Sequence, residues 1–139
     1  MALDQSVIGL KHKASLRVDE SLTVPHVSDR FKSFQGMPPV FATAFLVGFI
    51  EATCIEALKP WLDPGQATVG TYIDVSHVAA TPVGMTVAAE VQLIAVEGRS
   101  LRFHVSVRDE RDLICDGEHQ RALIDQARFE ARVKGKAGS

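Results

Sequence analysis

Three polar side chains stand where the pattern of this sequence is apolar, and their types are those that move protons or attack carbonyl carbons. Thr43 and Glu51 lie in and just beyond the apolar run that begins at Val40. Burying a polar group without a partner costs about 2–7 kcal/mol, and an ionised carboxylate in such a place needs a counter-charge or a raised pKa, as working acids and bases have. Two readings of Glu51 stand side by side: a functional carboxylate, or one at the solvent edge of its element. His77 continues the core-facing parity of Val69, Thr71, Ile73 and Val75, so an imidazole that titrates near neutrality takes an apolar position. The bland alternative is a hydrogen-bonded core histidine. Gly70 either lets a backbone N–H approach a ligand or relieves crowding against a neighbouring element. The other histidines carry weaker signals. His104 falls on a wet strand face, His12 and His26 lie in or near loops, and His119 sits beside Gly117, where it could fill a bulge.

Several chemistries are missing from the chain. It has no Gly-x-Ser-x-Gly elbow, no phosphate-cradling glycine loop, no His-Glu-x-x-His and no histidine pair at ligand spacing, so no metal site is expected. Cys54 and Cys115 are far apart and outside any Cys-x-x-Cys spacing. They read as small buried apolar residues in a reducing compartment.

The elements that must position these groups follow from periodicity. A first strand is expected over Ser15–Val24. Residues 25–39 hold three prolines yet also Val27, Phe31, Phe34 and Met37, which reads as a lid-like loop that packs back over the molecule. The one long helical pattern runs from Phe41 to Leu58 after Pro38-Pro39. Its apolar residues cover most of the circumference, which predicts burial on several sides. On regular helix Thr43 and Glu51 stand ~12 Å apart at ~1.5 Å per residue, so a shared substrate requires Thr43 at or before the first turn. Strands with period two follow over 69–75, 85–95, 101–107 and 113–124, joined by hairpin-type turns, with Gly117 read as a bulge. The C-terminal stretch has a short amphipathic turn around Phe129 and Val133, and residues 134–139 read as a frayed end. An α+β fold results, a five-stranded antiparallel sheet wrapped around one long central helix, which is the hot-dog arrangement. One helix cannot cover such a sheet and its edges alone, so a homodimer is expected.

With 139 residues the chain makes a single domain, and 46% apolar with 23% charged residues is the composition of an ordinary globular protein. Fifteen Lys and Arg against seventeen Asp and Glu leave a net charge of −2. That supplies no basic field for nucleic acid or anionic lipid, so neither is expected as a partner. The N-terminus lacks a basic segment followed by an apolar core, and the longest apolar stretch falls short of the ~20 residues that span a bilayer, so a cytoplasmic location is expected.

In order along the chain, Val40-Phe41-Ala42-Thr43-Ala44-Phe45-Leu46-Val47-Gly48, Glu51-Ala52-Thr53-Cys54, Gly70-Thr71, and Ser76-His77 through Ala79-Ala80-Thr81-Pro82-Val83-Gly84 together resemble the fluoroacetyl-CoA thioesterase family. Val96-Glu97-Gly98-Arg99 and Gly117-Glu118-His119-Gln120-Arg121-Ala122 extend the likeness, which covers residues 24 to 124. The resemblance implies a catalytic set of Thr43, Glu51 and His77, with the backbone of Gly70 at the thioester and Arg121 on the CoA portion. It implies further substrate contacts from Val24, Phe34 and Met37, and no cofactor beyond the coenzyme A of the substrate. The family's fluorine-selective member carries a lid Phe before proline, where this chain has Met37. The implied activity is hydrolysis of a short acyl-CoA. A hot-dog acyl-CoA hydratase or dehydratase, or a non-catalytic acyl-CoA binding protein, are the alternatives.

Overall fold

Alternating apolar residues in four of the five strands bury one face of a sheet against a single helix, in a computed structural model that describes residues 3–138. The elements are β1 (Lys11–Arg17), α1 (Thr43–Leu58), β2 (Gln66–Val75), β3 (Thr86–Glu97), β4 (Ser100–Arg108), β5 (Leu113–Asp125) and α2 (Gln126–Gly138), with short 3₁₀ turns between some of them. The sheet is antiparallel throughout, in the order β1-β3-β4-β5-β2, so β1 and β2 are its edges. This is the hot-dog architecture expected from the periodicity.

The helix buries one stripe. Leu46, Ile50, Cys54 and Leu58 follow a four-residue spacing and pack with Val87, Val91, Leu93, Phe103 and Val105 of the sheet. Each such side chain contributes roughly 1.5–3 kcal/mol through burial. The expectation of burial on several sides is corrected: Thr43, Ala44, Gly48 and Ile55 are exposed within the chain. An apolar sequence on all sides therefore reports a helix whose second face is bare in the single chain.

Boundaries differ from expectation where turn chemistry intervenes. β1 ends at Arg17, because Asp19 caps Ser21 N and starts a 3₁₀ turn at Glu20–Leu22, so the strand expected over 15–24 lies earlier. Phe41 pairs with Thr23 as an extended bridge, and α1 begins only at Thr43. Gly117 is no bulge: a Cβ there would lie 2.1 Å from the Asp74 carbonyl oxygen, so glycine lets β2 and β5 close up. The irregularity in β5 is nearer its start, where pairing jumps from Leu113 to Cys115. The C-terminal segment is helical as far as Gly138 instead of one short turn, and Ser139 lies outside the described residues. No helix among the described residues is long and apolar enough to cross a membrane.

Candidate active site

Two clusters lie along α1, one at its N-terminus and one at its middle. Thr43 is the first residue of the helix, placed there by the extended Val40 and Phe41 bridges to Pro82 and Thr23. Its Oγ1 is 2.7 Å from His77 Nδ1. The Phe41 ring stands edge-on to the imidazole, 6.4 Å between centroids. His77 Nε2 is buried with no hydrogen-bond partner among the described residues. Burial holds the His77 pKa below its ordinary value, so the ring is neutral at neutral pH and can accept the Thr43 hydroxyl proton at Nδ1. Leu46 N is the first intrahelical donor, bonded to Ala42 O, which leaves the amides of Thr43, Ala44 and Phe45 in the uncapped first turn.

The loop of residues 25–39 packs over this end. Val24, Phe34 and Met37 line a cavity of about 330 Å³ with Ala42, Thr43 and Ala44. Two 3₁₀ turns, Val24–His26 and Lys32–Phe34, shape the loop, and Val24 N donates to Val40 O to tie it to the helix entry. Met37 itself is 48% exposed, at the rim of the cavity.

The second cluster is built on Glu51. Its Oε2 accepts from Arg121 Nη1 at 2.9 Å, and the carboxylate side chain is 39% exposed while the arginine is 3% exposed. Glu51 is therefore neither an unpaired core charge nor a free surface one. Arg121 also donates from Nε to Thr68 Oγ1 at 2.8 Å and from Nη2 to Thr68 O at 2.9 Å. The CoA contact that the resemblance implies for Arg121 would have to share these donors. Gly70 opposes Arg121 in the ladder, and a Cβ on it would come 2.5 Å from Glu51 Oε2. Glycine is needed for the carboxylate to lie against the strand.

Just after Gly70 the register slips, leaving Thr71 without a ladder partner. The parity expected from Val69 through Thr71 to Ile73 is thereby corrected. Gly70 faces the site ahead of the bulge, Ile73 and Val75 keep the inward face beyond it, and His77 continues from them. Val47, Glu51, Gly70, Thr71, Tyr72, Ile73 and His119 surround a cavity of about 430 Å³. No hydrogen bond among the described residues joins the Thr43–His77 pair to the Glu51–Arg121 pair.

His119, a weak candidate from sequence, belongs to this cluster. Its Nδ1 is 2.7 Å from Tyr72 O and its Nε2 is 3.1 Å from Arg121 Nη1. The signal that would have found it is its two-residue spacing from Arg121 on one strand, which puts both side chains on the same face. Cys54 and Cys115 are buried and free, with thiols pushed up by burial to about 12 and about 11, so neither is a ready nucleophile. The described residues hold no cluster of metal-ligating side chains. His12 pairs with Glu56 and His104 with Asp116 on the surface, and His26 lies beside Thr23 Oγ1.

A curled antiparallel sheet wrapped on one long helix is the hot-dog fold. A Thermus thermophilus thioesterase superfamily member, 26% identical, superposes with a TM-score of 0.82 over 93% of each chain. Residues 18–127 match the family described as fluoroacetyl-CoA-specific thioesterase, and the chain belongs to that family. It is 45% identical over 114 residues, 82% of each chain, to the fluoroacetyl-CoA thioesterase of Streptantibioticus cattleyicolor. A solved structure of the fluoroacetyl-CoA thioesterase FlK, 41% identical, covers 93% of this chain and 96% of its own with a TM-score of 0.90.

Proposed function

We propose that the chain hydrolyses the thioester of a short acyl-CoA to the free acid and CoA, as a cytoplasmic homodimer that needs no metal or bound cofactor. The observation that carries this reading is the Glu51 carboxylate, fixed by Arg121 against Gly70 at the wall of an open cavity. An oriented, partly solvated carboxylate attacks the thioester carbonyl carbon or deprotonates the water that does so. The carbonyl oxygen gains charge as the nucleophile adds and gives it up as the C–S bond breaks, and amides at the Gly70–Thr71 bulge beside Glu51 are donors suited to it. CoA leaves as the thiolate and takes up the proton released by the attacking water, with the neutral His77 ring, hydrogen-bonded to Thr43, as the base suited to carry it.

The dimer is supported by what the single chain leaves bare. Thr43 and Ala44 on α1, and Tyr72 and Ile73 on the edge strand β2, are exposed beside the two cavities. Closing them against a second copy would seal the site and hide the edge. The two free cysteines fit a reducing compartment.

The test is release of free thiol from acetyl-CoA, fluoroacetyl-CoA and a series of short acyl-CoAs. Catalytic CoA release is the expected result. Consumption of an enoyl-CoA with the thioester intact, or binding without turnover, would overturn it.

A further inference from the structure

His119 is 2% exposed and is flanked by two partners of opposite demand. A backbone carbonyl only accepts, so the 2.7 Å contact with Tyr72 O fixes the proton on Nδ1. Nε2 then carries a lone pair, and the nearest donor to it is Arg121 Nη1 at 3.1 Å. That same nitrogen donates to Glu51 Oε2 at 2.9 Å. The carbonyl that sets the tautomer belongs to the strand segment just after the Gly70–Thr71 bulge, so the irregular backbone is tied to the protonation state of the imidazole. Burial lowers the pKa of the ring and outweighs the Tyr72 O contact, which favours the protonated form, while the Arg121 charge acts with burial and Glu51 against it.

We propose that His119 is a positioning residue for the thioesterase reaction: its Nε2 holds Arg121 Nη1 at the angle from which the guanidinium presents Glu51 to the thioester. This rests on the reading of Glu51 as the acting carboxylate. A histidine that merely fills the core would need neither contact. Here each ring nitrogen has a single role, and Arg121 is held at three corners, by Thr68, by Glu51 and by His119. Without the His119 acceptor, one Nη1 proton loses its direction while Thr68 still anchors the other end. The guanidinium can then rotate and carry the carboxylate with it.

Two substitutions separate positioning from filling. In His119→Gln a side-chain amide oxygen comes close to the place of Nε2 and can accept from Arg121. In His119→Asn the shorter amide reaches the Tyr72 carbonyl but not Arg121. On acetyl-CoA, kcat of His119→Asn should fall by about 10- to 100-fold, the cost of an ångström-scale misplacement, with KM changed far less. His119→Gln should recover most of the loss, and the melting temperatures of the two variants should be alike. Equal activity of the two variants, whether both high or both low, would overturn the assignment. Measuring Glu51→Gln in parallel distinguishes the failures: if that variant retains turnover, the reading of Glu51 fails. If it is inactive while the two His119 variants match, only the role of His119 falls.

Discussion

The two halves of the site are built in contrasting ways. Around Glu51 the partners come from regular elements, α1, β2 and β5, and Arg121 is held by four hydrogen bonds, three of them to groups other than the carboxylate. Around Thr43 the walls come from the lid loop. The polar link is a single contact to His77, and Met37 and Phe31 are half-exposed. On the proposed reading, over-determined geometry at Glu51 suits the bond-breaking step, where small displacements are costly, and a loop-built wall with an adaptable thioether suits the acyl group, where shape alone discriminates weakly.

Changes on either side of that divide should therefore differ in kind. His77→Ala removes the acid–base partner of Thr43, and thiol release should fall about 100-fold or more while the fold persists. Gly70→Ala forces a Cβ toward the Glu51 carboxylate, a flexible tip that can move aside. Turnover should drop about 10-fold with little change in melting temperature, and an unchanged kcat would show that the close approach is incidental.

The apolar side chains of the loop wall should yield smaller effects than either His77 or Gly70. With Met37 at the rim, kcat/KM for fluoroacetyl-CoA should exceed that for acetyl-CoA by less than about a thousandfold, a bound set above the roughly 10–200-fold that apolar pocket differences of ~1–3 kcal/mol supply. Met37→Phe should raise that ratio by about 10-fold or less within the same limit. A wild-type preference far above this would place fluorine selection in the rigid half.

Acid should act on both halves through stability. The pKa values of His77 and His119 are held low by burial, so the unfolded chain binds more protons and stability rises with pH. Their contribution is complete above the unfolded value of about 6.5 and is lost as pH falls below it. The melting temperature should therefore drop from about pH 7 to about pH 5, and less so in His77→Phe.

Periodicity made the helix, the strands and the wrapped sheet legible, because apolar spacing is a direct record of which face is buried. It failed where a side chain redirects the backbone, as Asp19 does at the end of β1, or where one extra residue changes parity, as Thr71 does in β2. Polar residues in apolar surroundings marked Thr43, Glu51 and His77. His119 escaped because its partners, Tyr72 O and Arg121, come from a distant strand and from a residue that the sequence marked by resemblance alone.

The account turns on Glu51, and the substitution Glu51→Gln tests it most directly, since the amide keeps the size and a hydrogen-bond acceptor for Arg121 while removing the charge. Steady-state CoA release from acetyl-CoA should fall by about 100-fold or more, in a protein that still folds but melts at a lower temperature, because the buried Arg121 loses its counter-charge. Turnover at the wild-type rate in a folded Glu51→Gln protein would contradict it.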